Sequence, residues 1–179
     1  MSFLKKLFGK KEEVKKEEVK KQEVKKEESK IATVSNGELV KLSEVPDEVF
    51  SQKMMGDGFA MKTSDGVIVS PVDGKVENVF PTKHALGITT KDGKEVLLHL
   101  GVDTVNLKGK GFEVFVNEGQ EVKIGDKLVK MDVEFIENSE EAKSSMPIVV
   151  FTNLQEGESV KLKTGSTTAG ELDRIEIVK

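Results

Sequence analysis

From Ile31 to the C-terminus, short runs of β-branched and apolar residues are broken every few positions by Gly, Asp, Asn or Pro. This punctuation limits the fold more than any other feature, because no run is long enough for a substantial helix and many suit a strand. The strand candidates are Glu38–Leu42, Phe59–Lys62, Val67–Ser70, Lys75–Phe80, Ala85–Thr90, Glu95–Leu100, Glu113–Val116, Lys127–Asp132, Ile148–Thr152 and Arg174–Val178. Ser64-Asp65-Gly66, Val72-Asp73-Gly74 and Lys91-Asp92-Gly93 carry the Asp-Gly chemistry of tight hairpins. The pattern predicts an all-β, antiparallel sandwich or barrel with a few short helical turns. Two stretches read as helical, Asp47–Lys53 and Glu137–Ser144. Residues 31–179 suffice for one hydrophobic core.

The first thirty residues have a different character and read as a charged tail, partly helical or disordered. Residues 1–11 form a short amphipathic segment. At ~100° per residue, Phe3, Leu4, Leu7 and Phe8 fall within about 140° of arc, with Lys5 and Lys6 on the other side. Residues 2–8 are therefore of the kind that makes weak contact with an anionic membrane surface. Residues 12–30 form a Lys/Glu-rich linker that repeats a five-residue unit (KKEEV, KKEEV, KKQEV, KKEES). Five residues advance about 140° around a helix, so Val14, Val19 and Val24 share no face and offer no stripe to a partner.

Charge separates tail from body. Residues 1–30 carry 11 Lys and 7 Glu, whereas the remainder carries 17 basic and 25 acidic residues. An acidic body argues against nucleic acid as a partner. The chain has no Cys, which removes disulfides, thiolate metal sites and a cysteine nucleophile and fits a reducing cytoplasm. No apolar run approaches the ~20 residues that span a bilayer. The expected location is the cytoplasm, peripheral at the inner face of the cell membrane.

The chemistry centres on the only two histidines. His84 begins one candidate strand and His99 ends the next, with Lys91-Asp92-Gly93 between them. A hairpin centred on Asp92-Gly93 sets residues near 84 and 101 across from each other, so the two imidazoles converge if they share a face. Convergent imidazoles suit phosphoryl carriage, zinc binding or acid–base catalysis near neutral pH. Thr82 is placed to hold one His84 nitrogen and fix its tautomer. Asp103 either orients an imidazole or caps the turn at Thr104. Phe50, Met54, Met55, Phe80, Leu86, Leu97 and Val105 supply apolar groups for a ring that docks proteins and excludes water.

Longer motifs decide among these chemistries. VPDEVFSQKMMGDGFAMK (45–62), VSPVDGKVENVFPTKHAL (69–86), LHLGVDTVNLKGKGF (98–112), EGQEVKIGDKLVKMD (118–132) and the segment 165–170 occur in that order. Together they resemble the glucose-type enzyme IIA family of the bacterial phosphoenolpyruvate-dependent sugar phosphotransferase system, over nearly all of residues 31–179. The resemblance implies an antiparallel β-sandwich. It implies that His99 accepts a phosphoryl group from the histidine-containing phosphocarrier protein and passes it to a cysteine on the IIB domain of a sugar permease. His84 would stabilise the phosphoryl group and Thr82 would hydrogen-bond His84. No cofactor is required. Some family members also bind and regulate transporters or kinases, and one such complex shares a zinc between the two histidines, here His84 and His99.

Two rivals fit poorly. HLGVD has the H-x-x-x-D spacing of a β-rich zinc peptidase, but no third His exists for the further ligand pair. GQEVKIGDKLV is reminiscent of biotinyl or lipoyl carriers, but Lys130-Met131-Asp132 is not their modification motif. A purely regulatory binding protein would keep the apolar ring without needing a reactive His99.

Overall fold

The computed structural model describes residues 27–179. The amphipathic segment 1–11 and most of the 12–30 linker lie outside the described residues. Thirteen strands are present among those described: β1 Gly37–Val40, β2 Asp57–Thr63, β3 Val67–Val69, β4 Gly74–Val79, β5 Ala85–Thr90, β6 Glu95–Val102, β7 Phe112–Val114, β8 Glu121–Val122, β9 Lys127–Met131, β10 Ser144–Phe151, β11 Ser159–Leu162, β12 Gly165–Thr167 and β13 Ile175–Val178. All pairings are antiparallel. An eight-stranded sheet runs β12-β1-β2-β10-β6-β5-β4-β8, beside a three-stranded sheet β3-β9-β7 and a β11-β13 pair. Among the described residues no helix is long and apolar enough to cross a membrane.

Side-chain alternation divides the central strands between two apolar clusters. Phe59 and Met61, Leu98 and Leu100, and Val149 and Phe151 point into the main core, which draws on all three sheets. Their neighbours Ala60, Ile148 and Val150 point the other way, into a smaller cluster with Val40, Leu42, Val45 and Phe50. β2, β6 and β10 are thus packed on both faces, which explains their near-continuous apolar sequences. The second cluster is roofed by a 3-10 turn, Leu42–Glu44, and a one-turn helix α1, Glu48–Ser51.

The three Asp-Gly turns do different jobs. Lys91-Asp92-Gly93 closes the β5–β6 hairpin, with Gly93 N–H bonded to the Thr90 carbonyl and Gly93 in the left-handed region at φ 92°. Ser64-Asp65-Gly66 and Val72-Asp73-Gly74 instead carry the chain out of the large sheet into β3 and back into β4. They are corners, not hairpins. At the second, the Asp73 carboxylate accepts from Ile124 N–H, 2.8 Å, and ties the corner to the β8–β9 connection.

The helical stretch expected at Glu137–Ser144 lies earlier. Helix α2 spans Val133–Glu137, capped by the Asp132 carboxylate on Phe135 N–H, 3.0 Å. It stops because Asn138 to Lys143 offers only Ala142 for burial, and Ser144 already begins β10. Strands β8, β11 and β12 were not expected from their sequences; they are short, and β8 and β12 lie at the ends of the large sheet. Ser29, within the linker by sequence, is fixed to the body. Its N–H and hydroxyl donate to the Asp92 carboxylate at 3.1 and 2.5 Å.

Candidate functional site

His99 lies on the outer face of β6, between Ala85 of β5 and Ile148 of β10. Its neighbours Leu98 and Leu100 are fully buried in the core, so alternation turns the imidazole outward. Two residues on, Gly101 turns the chain at φ 90° and sets its carbonyl 2.7 Å from His99 Nδ1. Nδ1–H donates there, leaving Nε2 with its lone pair free. Only glycine fits, since a Cβ would stand 2.5 Å from the Ser144 carbonyl oxygen and 2.6 Å from Thr104 Cγ2.

His84 sits just outside β5, where Leu100 N–H donates to the His84 carbonyl, 2.7 Å. Residue 84 therefore faces 100, one position from the register expected from sequence. By strict alternation it would share the inward side with Leu86. The turn before β5 frees it from that alternation, and the two imidazoles meet with ring centroids 5.2 Å apart and planes at 79°. Thr82 Oγ1 lies 2.5 Å from His84 Nδ1.

Aromatic groups wall the pair. Phe80 meets His84 edge-on, 5.6 Å between centroids. Phe50 packs on His99 at 4.9 Å. Phe50 is held there by α1, whose cap, Asp47, accepts from Val49 N–H at 2.9 Å and Phe50 N–H at 3.3 Å. Of the expected apolar ring, Met54, Met55, Phe80 and Val105 are exposed, as is Val49 next to Phe50 on α1. Leu97 is half-buried beside the outer cluster. Phe50 is 6 % exposed and meets His99 rather than solvent. Leu86, 1 % exposed, must be removed from the ring: it pairs with Leu98 and both point into the main core.

Burial pushes the His99 pKa below the ordinary histidine value, against the Gly101 hydrogen bond and the charges of Asp47 and Asp103, which raise it. Burial, then the neighbouring His99, lowers that of His84. Both rings therefore favour the neutral form at pH 7. Asp103 adopts a left-handed conformation, φ 59°, at the start of the 3-10 turn Thr104–Leu107, and its side chain makes no capping bond. It acts on His99 through charge. Asp47, absent from the sequence-based site, does the same; the signal was its capping position before Glu-Val-Phe. Gly101's carbonyl left no readable side-chain signal.

Among the described residues, five non-glycine residues have positive φ, and four of them, Lys53, Lys83, Asp103 and Lys108, flank the segments that carry the histidines and Phe50. Such strain persists where the surrounding structure imposes it, and collects at functional sites. Among the described residues no three His, Cys, Asp or Glu side chains cluster as a metal site. A cavity of about 590 Å³ lies elsewhere, lined by Ser29, Lys94, Arg174 and Ile177 among others. The histidine face brings together two imidazoles, both shifted toward the neutral form, and we take it as the site on that chemistry.

Comparison with known proteins points the same way. Residues 29–157 match the family model for phosphoenolpyruvate-dependent sugar phosphotransferase system, EIIA 1. The PTS system glucose-specific EIIA component of Staphylococcus epidermidis is 45% identical over 174 residues, covering 97% of each chain. That of Staphylococcus aureus is 46% identical over 158 residues, covering 88% of this chain and 87% of its own. The solved structure of glucose permease IIA from Mycoplasma capricolum superposes with a TM-score of 0.74 at 42% identity, over 82% of this chain and 94% of that one. Sequence motifs, antiparallel architecture and these relatives agree, and the chain belongs to the enzyme IIA family of the phosphoenolpyruvate-dependent sugar phosphotransferase system.

Proposed function

We propose that this chain is the phosphohistidine carrier of a glucose-type sugar phosphotransferase system, with His99 Nε2 as acceptor. The observation that carries the reading is the His99 Nδ1–H bond to the Gly101 carbonyl, which fixes a neutral tautomer with a nucleophilic Nε2. The donor is the phosphohistidine of the histidine-containing phosphocarrier protein. Its P–N bond breaks as a P–N bond to Nε2 forms, in line, with negative charge spread over three equatorial oxygens. The Gly101 carbonyl stabilises the positive charge that the imidazole acquires. With the Thr82 hydroxyl donating to Nδ1, His84 presents Nε2–H to a phosphoryl oxygen. In the second half, a cysteine sulfur of the IIB domain attacks phosphorus and the P–N bond to His99 breaks.

A shallow face suits this exchange, because the group passes between proteins and the apolar rim excludes water only while a partner covers it. Regulatory binding of transporters or kinases would use the same rim. A zinc shared with such a partner would take His99 through its free Nε2, and His84 through Nε2 once its proton moves to Nδ1 and the Thr82 oxygen accepts from it. The partner would complete the four-coordinate set. The decisive experiment is phosphorylation by phosphoenolpyruvate with the two general phosphotransferase proteins. One acid-labile, base-stable phosphoryl group is expected, absent from His99→Ala. Label persisting in that variant overturns the assignment.

A further inference from the structure

The five residues Phe80-Pro81-Thr82-Lys83-His84 bring together both aromatic and polar supports of the second imidazole. Lys83 N–H donates to the Phe80 carbonyl at 2.7 Å, closing a β-turn with Pro81 at its second position, where a ring-fixed φ fits. Phe80 N–H then donates to the Ala85 carbonyl at 3.1 Å and resumes the β4–β5 pairing. Between these bonds Lys83 adopts φ 59°, a conformation that favours glycine or asparagine and strains a lysine.

A left-handed residue folds the chain back, so the side chains on either side converge instead of standing a strand repeat apart. Here those side chains are Thr82 and His84, and they meet at 2.5 Å. The same fold lifts His84 out of the inward alternation that Leu86 continues. The lysine stem contributes no hydrogen bond to the histidines; its Cδ lies over Gly109, 3.7 Å from where a Cβ would stand. What matters at position 83 is the backbone.

We propose that Lys83 is a positioning residue whose left-handed backbone delivers the Thr82 hydroxyl to His84 Nδ1 and holds His84 in the Nε2–H tautomer facing His99. The consequence for onward phosphoryl transfer rests on the carrier function proposed above; the tautomer itself does not.

Imidazole ¹⁵N shifts in the full, unphosphorylated chain read the tautomer directly. The native chain should show His84 protonated at Nε2. Lys83→Val, β-branched and averse to positive φ, should give a mixture of tautomers and slow phosphoryl transfer to the IIB domain at least tenfold, with the His99 shifts unchanged. Lys83→Gly, which adopts the conformation freely, should restore the native shifts and a rate within about twofold of native. Should Lys83→Val not fold, Lys83→Ala provides the milder version of the same strain. Native His84 shifts in the Val or Ala variant overturn the proposal. So does their loss in Lys83→Gly, which would assign the effect to the lysine stem, or a native spectrum with His84 protonated at Nδ1. Absence of label on His99 in the native chain would sink the carrier reading while leaving the tautomer result standing.

Discussion

The lowered pKa values of His84 and His99 have a direction that can be measured. Each folded-state value lies below the unfolded one. Stability therefore holds above the unfolded histidine pKa and is lost as pH falls from there down through the lowered folded values. If His99 is the acceptor, as proposed, phosphoryl acceptance needs it neutral, and the rate should hold flat from pH 8 to below 6.5 and then fall. A half-maximal point above 6.5 would contradict the burial argument. Asp47 allows cap and charge to be separated. Asp47→Asn keeps the cap, whereas Asp47→Ala should cost about 1 kcal/mol in urea denaturation. Both remove the same charge, so both should lower the His99 pKa further in an NMR titration. The histidine pair and Thr82 were legible in the sequence because side-chain chemistry is written there. Gly101 and Asp47 were not, since one acts through a carbonyl and the other through a helix end. Leu86 was misplaced because an apolar residue beside a site reads alike on either face.

At the scale of elements, the β5–β6 hairpin joins two distant parts of the molecule. Its open end carries the histidines. At its tip, Asp92 accepts from Ser29 N–H and hydroxyl and from the Thr90 hydroxyl, and pairs with Lys94 at 3.3 Å. Burial raises the Asp92 pKa, but these bonds outweigh it and hold the carboxyl well below the usual carboxylate range. Its contribution to stability is thus present above the unfolded-state pKa and lost only in strong acid. Asp92→Ala should cost about 1–3 kcal/mol, because donors are left unpaired, and should speed amide exchange at Ser29. Unchanged exchange there would show that the tip does not hold the chain. Long strands such as β6 and β10 were evident from their apolar runs. Corners and edge strands were not, because an Asp-Gly pair turns the chain equally well within a sheet or between two, and a two-residue strand has no period.

For the whole molecule, the family motifs made the architecture and function readable where periodicity alone offered only a β-rich body. The tail remains a sequence-level prediction: removing residues 1–11 should leave phosphorylation in solution intact and reduce binding to anionic vesicles. Equal vesicle binding by the shortened chain would remove the membrane contact. The body has a further consequence. Under the proposed carrier function, donor and acceptor both cover one rim around His99, so neither binds until the other has left. Sugar flux then depends on how quickly complexes come apart. At an association rate of about 10⁷ M⁻¹s⁻¹, a micromolar complex separates at roughly 10 s⁻¹ and a nanomolar one at roughly 0.01 s⁻¹. On that reading a rim that gripped either partner tightly would stall the relay, and a small border with exposed, adaptable Met54 and Met55 would serve turnover better than a larger, better-fitting one.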